Sequence, residues 1–396
     1  MRGHVRKRTH TTKTGKTTTT WYVVVDLPRS ASGRRQQKWH GGFRTRREAE
    51  AAQARIVHEL ATGDYVHANE CTLAEWIDDH WLPSVRMRVK PSTHESYRSS
   101  LHLHVLPKLG QQRLTDITPS MLDALYAGLF SHGRILSEAG LSAKTVSNIH
   151  AAVHKALADA VDAQLIRRNP ATGAKPPRPR TQGNCEIRSW TPSQLKGFLS
   201  SVEGHRLATA WLLAAMTGMR RGEVLGTRWQ DIDVKERTVS VRRALIAVGY
   251  DVQVSTPKGG RPRLVDLAPS TVARLEAHRQ QQLSEKRRWG REYNDQDLVF
   301  CLEDGSPVHP HAFSSAFQKA VRDSGRPRIR LHDLRHTHAT IALRAGIPIK
   351  VIAERLGHAD PAFTMKQYAH VIPGMQAEAA QIFAEIVHRA PNTSDS

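Results

Sequence analysis

Cysteine, acidic side chains and long apolar runs are all scarce in this chain of 396 residues. The three cysteines, Cys71, Cys185 and Cys301, are odd in number and far apart, so we expect neither a disulfide framework nor a paired-cysteine zinc site. No apolar run approaches the roughly 18 residues of a membrane-spanning helix, and the chain does not open with a signal-peptide pattern. The sequence therefore predicts a cytoplasmic protein with no membrane partner.

The shortage of acidic residues leaves the chain strongly basic. Lysines and arginines number 58 against 37 aspartates and glutamates, which gives a net charge of +21 and a pI near 10.4. A charge of this size favours polyanionic partners such as nucleic acid. Arginines outnumber lysines by 42 to 16, which fits either a GC-rich genome or selection for guanidinium groups that grip phosphates. The length suggests two or three domains, since one core rarely exceeds about 250 residues.

The first segment, residues 1–66, has the pattern of a small sheet followed by a helix. Strands are predicted over 21–27 and 36–43 by their β-branched and aromatic residues, with a turn at 32–35 between them. A capping-box pattern opens a helix at Thr45, whose apolar face comprises Ala49, Ala52, Ile56 and Leu60. Residues 1–65 contain 14 Lys and Arg against 5 Asp and Glu, a net charge of +9. A flexible basic arm is predicted at the start by Arg2, Arg6, Lys7, Arg8, Lys13 and Lys16.

The second segment, residues 67–170, is predicted to be wholly helical. Helix-start patterns occur at Thr72, Lys90, Thr118 and Ser142, and apolar residues recur at helical spacing after each of them. These stripes indicate the core of a helical bundle. The basic, proline-rich stretch 171–184 then predicts a semi-extended linker, because closely spaced prolines exclude a helix.

The third segment, residues 185–396, contains the residues with chemical potential. A helix that is apolar nearly all round is predicted over 207–216, and Thr-Gly-Met-Arg220-Arg221-Gly-Glu223 follows it. Strands are predicted over 238–241, 252–254 and 264–267, and Lys258 occupies a glycine-rich turn between the last two. The remainder of the segment is predicted to be helical.

A cluster of His, Arg and Tyr residues follows in that helical part. His332 and Arg335 are three residues apart and therefore share a helix face. A guanidinium beside an imidazole suits bidentate binding of a phosphate. His358 and then Tyr368 follow, and the phenol of Tyr368 offers a nucleophile for the same phosphate.

The order of these parts resembles the catalytic domain of tyrosine recombinases, the phage-integrase family, and the resemblance spans residues 70–390 well and the first 65 loosely. It implies an α+β multidomain fold with three parts: a small N-terminal sheet-plus-helix domain that binds arm-type DNA sites, a helical core-binding (SAM-like) domain, and a mainly helical catalytic domain with a small antiparallel sheet. The implied activity is that of a site-specific DNA recombinase, the integrase of a phage or integrative element, which cuts and rejoins DNA through a 3′-phosphotyrosine intermediate.

The resemblance also assigns roles to individual residues. By this resemblance, Tyr368 attacks the phosphate, and Arg220 and Arg335 hold its non-bridging oxygens. Lys258 protonates the leaving 5′-oxygen. His332 and His358 donate hydrogen bonds or shuttle the proton, and Glu223 orients Arg220. Neither a metal nor a nucleotide cofactor is implied. Implied partners are double-stranded DNA attachment sites, a homotetramer on DNA, and accessory proteins for excision and DNA bending. The six catalytic positions and the supporting glutamate are Arg220, Lys258, His332, Arg335, His358, Tyr368 and Glu223.

Several alternatives remain open from the sequence alone. Arg221 competes with Arg220 as the clamp, and Lys258 has the setting of an ordinary surface lysine. A catalytically silent DNA-binding regulator on the same scaffold is a rival function. A chromosome-dimer resolvase is another, although such chains usually lack the extra N-terminal segment. The 22 histidines suggest a metal only weakly, because they have no acidic or cysteine partners at ligand spacing.

The chain after Tyr368 offers a further choice. An apolar helical stripe there packs either on its own protomer or on a neighbouring one, and the second arrangement would help to build a ring of four. The stripe consists of Met375, Ile382, Phe383, Ile386 and Val387.

Overall fold

The computed structural model describes most of the chain, in two compact units that comprise Met1–Arg180 and Thr181–Ser396. The division at Arg180 falls inside the predicted linker 171–184, and the finer domain boundaries stay predictions. Within the described residues, no helix combines the length and apolarity needed to cross a membrane. The described residues are 3–11, 17–27, 36–62, 70–135, 137, 139–178, 188–257, 261–358, 360–368, 381, 383–385 and 388.

The N-terminal part of the first unit is a small antiparallel sheet covered by one helix, as the sequence predicted. The sheet has the order β1-β2-β3, and its buried face packs against α1 through Val23, Val25, Ala49, Ala52 and Ile56. The predicted turn at 32–35 lies outside the described residues. The elements are β1 (Gly3–Thr11), β2 (Thr17–Leu27), β3 (Gln36–Phe43) and α1 (Arg46–Thr62).

The prediction of a flexible basic arm was wrong for its first half, because residues 3–11 form strand β1. The strand pairs with β2 in continuous antiparallel register from Gly3 opposite Val25 to Thr11 opposite Thr17. Val5 packs against the small core while Arg6 and Arg8 are exposed. Threonine-rich, alternating sequence suits an edge strand, and charged residues on such an edge discourage pairing with other chains. Lys13 and Lys16 lie outside the described residues.

The rest of the first unit is a helical bundle. Thr72, Thr118 and Ser142 cap their helices as predicted, and the apolar stripes form one continuous core. The helices are α2 (Leu73–Glu75), α3 (Leu82–Arg86), α4 (Pro91–His104), α5 (Leu106–Leu109), α6 (Pro119–His132) and α7 (Ala143–Asp162), with short 3₁₀ turns at Leu114–Asp116 and Pro170–Thr172.

The first helix of the bundle departs from the expected α-helical geometry, since Trp76–Trp81 forms a π-helical turn between α2 and α3. Pro83 lacks the N–H that would bond the carbonyl four residues earlier, which favours wider winding. The wider turn buries Trp76 and Trp81 together, although they are five residues apart. The indole of Trp81 donates to the Asp159 carboxylate at 2.8 Å, and Lys155 donates to the same carboxylate at 2.7 Å.

Replacing Asp159 with alanine should lower the opening free energy of the bundle by about 1–3 kcal/mol, because the buried indole N–H of Trp81 loses its acceptor. Hydrogen exchange of the α7 amides measures this quantity in the whole chain. Asp162→Ala is the matched control, since Asp162 is exposed on the same helix, and its effect should stay within about 0.5 kcal/mol. Equal losses for the two variants would contradict the role given to Asp159.

The second unit is mainly helical with small antiparallel sheets. One sheet has the order β4-β5-β8, and β6 and β7 form a separate hairpin. The core includes an aromatic cluster of Trp190, Phe198, Trp211 and Phe317. The strands are β4 (Ile232–Asp233), β5 (Thr238–Val241), β6 (Ala244–Val248), β7 (Asp251–Ser255) and β8 (Arg263–Asp266). The helices are α8 (Pro192–Ser201), α9 (Ala208–Thr217), α10 (Arg221–Leu225), α11 (Pro269–Trp289), α12 (Pro310–Asp323), α13 (Asp333–Arg344), α14 (Ile349–Leu356) and α15 (Pro361–Tyr368).

Candidate active site

The end of the buried helix α9 positions the first arginine. Gly218 terminates α9 with a left-handed backbone (φ 66°), and a Cβ atom there would lie 2.5 Å from Leu356 and 3.0 Å from His338. Only glycine fits both the backbone angle and the close approach. The chain then turns into α10 with Arg220 at its N-cap.

A buried carboxylate, Glu223, holds Arg220 in place. Glu223 is 1% exposed, and its oxygens accept from the backbone N–H of Arg220 at 2.9 Å and from Nη1 of Arg220 at 3.0 Å. Arg263 on β8 donates to the same carboxylate with both terminal nitrogens, at 2.6 and 3.1 Å. Burial raises the pKa of the Glu223 carboxyl, but the hydrogen bonds and charges of Arg263 and Arg220 outweigh it and hold that pKa below its usual range. Glu223 is therefore the shared anion of two arginines.

Arg263 was not among the predicted site residues, yet it joins three parts of the site. Its Nε donates to the carbonyl of Arg355 at 2.9 Å, near the C-terminus of α14. Gly357 follows with a left-handed backbone (φ 67°), and a Cβ atom there would lie 2.8 Å from the Arg263 guanidinium. Arg263 thus links Glu223 to the turn that carries His358. Its sequence signal was only a basic residue immediately before the predicted strand 264–267.

Arg335 supplies a second buried guanidinium. It is 3% exposed, and its Nη1 donates to the carbonyl of Gly218 at 2.7 Å. Its Nη2 is buried and has no hydrogen-bond partner within the described part of the chain. Burial, followed by repulsion from Arg220, lowers the pKa of Arg335 to about 9, so the group is still charged at neutral pH. A buried cation with a spare donor is suited to an anionic ligand.

The predicted histidines lie around this arginine pair. His332 is the N-cap of α13, and its ring packs edge-on against His336, with 5.2 Å between the ring centres. The Nδ1 atom of His358 lies 2.6 Å from the hydroxyl of Thr364. Burial lowers the pKa of His332 and of His358 to about 4 each, and neighbouring positive charges add to this shift. Both rings are therefore neutral at pH 7, with one donor and one acceptor nitrogen each.

Tyr368 ends α15 and is 1% exposed. Its ring packs in a small apolar cluster with Ala339, Leu343, Ile352 and Leu356. Its hydroxyl oxygen lies 2.8 Å from Nδ1 of His336, a residue that was not predicted as part of the site. Burial raises the pKa of Tyr368 to about 12, and the positive charge of Arg335 opposes this rise only in part.

The structure bears on the choice between Arg220 and Arg221, but not on the position of Lys258. Arg221 points to α12, where its Nη1 donates to the Ser314 hydroxyl at 2.9 Å, whereas Arg220 contacts Glu223. This geometry favours Arg220 over Arg221 as the clamp. Lys258 lies outside the described residues, so its position in the site stays a prediction. Within the described ranges, no group of three or more His, Cys, Asp or Glu side chains is arranged to hold a metal ion.

Comparison with known proteins assigns the chain to a family. The model of the phage integrase family matches residues 189–374, that of an arm DNA-binding domain matches 10–60, and that of the phage-integrase N-terminal SAM-like domain matches 72–130. The chain is 28% identical over 401 residues to a XerC-like tyrosine recombinase of Caldanaerobacter subterraneus, covering 96% of this chain and 99% of the relative. It is 30% identical over 303 residues to a Mycobacterium tuberculosis chain described as a prophage phiRv2 integrase, covering 75% of each.

Solved structures show the same fold. The integrase of transposon Tn1549, in complex with a circular intermediate DNA, matches with a TM-score of 0.62 at 19% identity, covering 78% of this chain and 99% of that one. A lambda integrase tetramer bound to a Holliday junction matches with a TM-score of 0.55 at 19% identity, covering 87% and 92%. The chain therefore belongs to the phage integrase family of tyrosine recombinases. It is a site-specific DNA integrase with the three-part fold that the sequence predicted.

Replacing Arg263 with methionine should destabilise the second unit by about 3–5 kcal/mol, because it removes one partner of a buried ion pair. Hydrogen exchange of the α9 amides reports this loss. Arg274→Met is the control, since Arg274 makes an exposed pair with Glu203, and it should cost at most about 1 kcal/mol. The double variant Arg263→Met/Glu223→Leu should stay destabilised and should not cleave DNA, since Arg220 has then lost its anchor and no carboxylate remains to offset the charges of Arg220 and Arg335. Full cleavage by the double variant would refute the anchoring role.

Proposed function

We propose that Tyr368 is the nucleophile of the recombination reaction and that Arg220 and Arg335 clamp the scissile phosphate. The observation that carries this proposal is the buried Nη2 of Arg335, a charged donor without a partner among the described residues. Arg220 lies close enough to lower the pKa of Arg335 by repulsion. A phosphate between the two guanidinium groups would neutralise that repulsion and accept the spare hydrogen bond.

The reaction begins when the phenol oxygen of Tyr368 attacks the phosphorus. A new O–P bond forms, the bond from phosphorus to the 5′-oxygen breaks, and the 3′-end of the DNA becomes an ester of Tyr368. Lys258 donates the proton to the departing 5′-oxygen. The ester preserves the free energy of the broken bond, so rejoining needs neither a nucleotide nor a metal.

His332 and His358 assist the clamp as neutral hydrogen-bond donors. Each ring has a pKa near 4 and therefore carries one N–H at neutral pH. A neutral donor can stabilise charge that develops on the non-bridging oxygens without adding to the repulsion between Arg220 and Arg335. Glu223 fixes the direction of the Arg220 guanidinium through their 3.0 Å contact.

The nucleophile is tested with a nicked DNA substrate whose cleavage releases a short fragment and so traps the covalent protein–DNA adduct. Tyr368→Phe should form no adduct, because only the attacking oxygen is lost, while DNA affinity should stay nearly unchanged. Denaturing gels measure the adduct, and a filter or gel-shift assay measures affinity. Met365→Leu is the control, since Met365 is an exposed apolar residue on the same helix. An undiminished adduct with Tyr368→Phe would refute the assignment.

We further propose that the chain acts in the cytoplasm, as a homotetramer on double-stranded attachment sites of a phage or integrative element. Accessory proteins for excision and DNA bending complete this assembly. The lambda integrase structure on a Holliday junction is a tetramer, which supports the stoichiometry. The arm DNA-binding model that matches residues 10–60, and the net charge of +9 on residues 1–65, support a second DNA contact in the N-terminal part.

Deleting residues 1–65 should separate the two kinds of DNA contact. The truncated protein should still cleave a core site, because the proposed catalytic residues all lie beyond Thr217, but it should fail to recombine substrates that need distant arm sites. Its non-specific affinity should also depend less on salt, since each lost phosphate contact lowers the log–log slope by roughly 0.9. Unchanged recombination together with an unchanged salt slope would rule out an arm-binding role.

A further inference from the structure

The hydroxyl of Tyr368 has one hydrogen-bond partner among the described residues, and that partner is His336. The phenol oxygen and Nδ1 of His336 are 2.8 Å apart, and the two rings are 5.7 Å apart between centres. A buried phenol keeps such a partner because an unsatisfied hydroxyl is costly. His336 lies next to Arg335 on α13, so the histidine that holds the nucleophile and the arginine of the clamp come from adjacent positions.

The proton of this phenol has to leave if its oxygen is to bond phosphorus. At neutral pH Tyr368 is protonated, because burial raises its pKa to about 12. Lys258 cannot take this proton in the proposed reaction, since it must be charged in order to protonate the 5′-oxygen. The cationic guanidinium groups of Arg220 and Arg335 have no lone pair to accept it. His332 and His358 each have an acceptor nitrogen, but among the described residues it is the ring of His336 that hydrogen-bonds the Tyr368 hydroxyl. The Nδ1 atom of a neutral His336 has a lone pair, and it is already at hydrogen-bonding distance.

His336 is neutral in this setting. Burial is the main cause that lowers its pKa from the usual value for histidine. The negative charge of Asp333 opposes this shift, and the positive charges of Arg335 and Arg330 add to it. A neutral ring with its proton on Nε2 presents the Nδ1 lone pair to Tyr368. The titratable and charged groups that face His336 are Arg330, His332, Asp333 and Arg335 from α13 and the turn before it, His358 after α14, and Tyr368 from α15.

The geometry points to His336 as the general base that accepts the proton of Tyr368 during attack on DNA. This inference rests on the proposed role of Tyr368 as the nucleophile. The O–H bond of Tyr368 breaks, its proton passes to Nδ1 of His336, and the oxygen forms the bond to phosphorus. The 5′-oxygen leaves with the bonding pair and takes a proton from Lys258. In the rejoining step, the 5′-hydroxyl returns its proton to Lys258, and His336 gives the Nδ1 proton back to the departing phenol oxygen.

The test compares the rate of adduct formation on the nicked substrate, with protein in excess, for the wild type and His336→Asn across a range of pH. Asparagine keeps a hydrogen-bonding group near the Nδ1 position but cannot take a proton. The variant should lose at least about 100-fold in rate at neutral pH. Its rate should climb about tenfold per pH unit on the alkaline side as the phenolate becomes available, whereas the wild type should be flat there and fall only at acidic pH, where His336 becomes protonated.

Two further measurements separate proton acceptance from a merely structural role. Added imidazole should restore adduct formation to His336→Ala, because a free base can occupy the space of the missing ring. A substrate with sulfur in place of the 5′-oxygen leaves without needing a proton, so it should rescue Lys258→Ala but not His336→Asn. His338→Asn is the matched control on the same helix, since its Nδ1 contacts the carbonyl of Ala215 at 3.0 Å and does not contact Tyr368. It should keep the wild-type pH profile.

Several outcomes would overturn the inference. An adduct rate for His336→Asn within threefold of the wild type, with the wild-type pH profile, would show that His336 takes no proton. A faster rate for His336→Ala would show that the contact only restrains the tyrosine. Failure of imidazole to raise the rate of His336→Ala, while DNA affinity is intact, would count equally against it. These results are distinct from a failure of the proposed function, which would appear as adduct formation by Tyr368→Phe.

Discussion

The arginine cluster of the candidate active site depends on one buried carboxylate. Glu223 accepts hydrogen bonds from Arg220 and from both terminal nitrogens of Arg263, while the Arg335 guanidinium is buried nearby. Three guanidinium groups in a poorly solvated space repel one another, and water cannot screen that repulsion. The single negative charge of Glu223 makes the cluster possible, yet it leaves a net positive charge. That remaining charge is what a DNA phosphate would neutralise.

The same constraint explains why the site is assembled from distant parts of the unit. Arg335 is tied to Gly218 at the end of α9, and Arg263 is tied to Arg355 near the end of α14. Both helices end at glycines with left-handed backbones, so the chain reverses sharply beside the arginines. The donors are therefore positioned before any substrate arrives, which lowers the cost of reorganisation during reaction. His336 extends this arrangement to Tyr368, the proposed nucleophile.

Local rules predicted most of the fold. Capping residues such as Thr72 and Thr118, and apolar stripes in the helical bundle, act over a few residues and are readable in sequence. Strand β1 was missed because its pairing with β2 outweighs a composition typical of a flexible arm. The ordered series of proposed catalytic residues was readable as a pattern. Arg263 and His336 were not, since their roles come from contacts with Glu223 and Tyr368 that span 40 and 32 residues.

The most direct test of the account is to identify the amino acid that becomes attached to DNA. The adduct trapped on the nicked substrate can be digested with trypsin and nuclease and analysed by mass spectrometry. We expect a nucleotide joined through its 3′-phosphate to Tyr368, in the peptide that begins at Gln367 after cleavage at Lys366. A nucleotide on any other residue, or one joined through a 5′-phosphate, would contradict the role proposed for Tyr368.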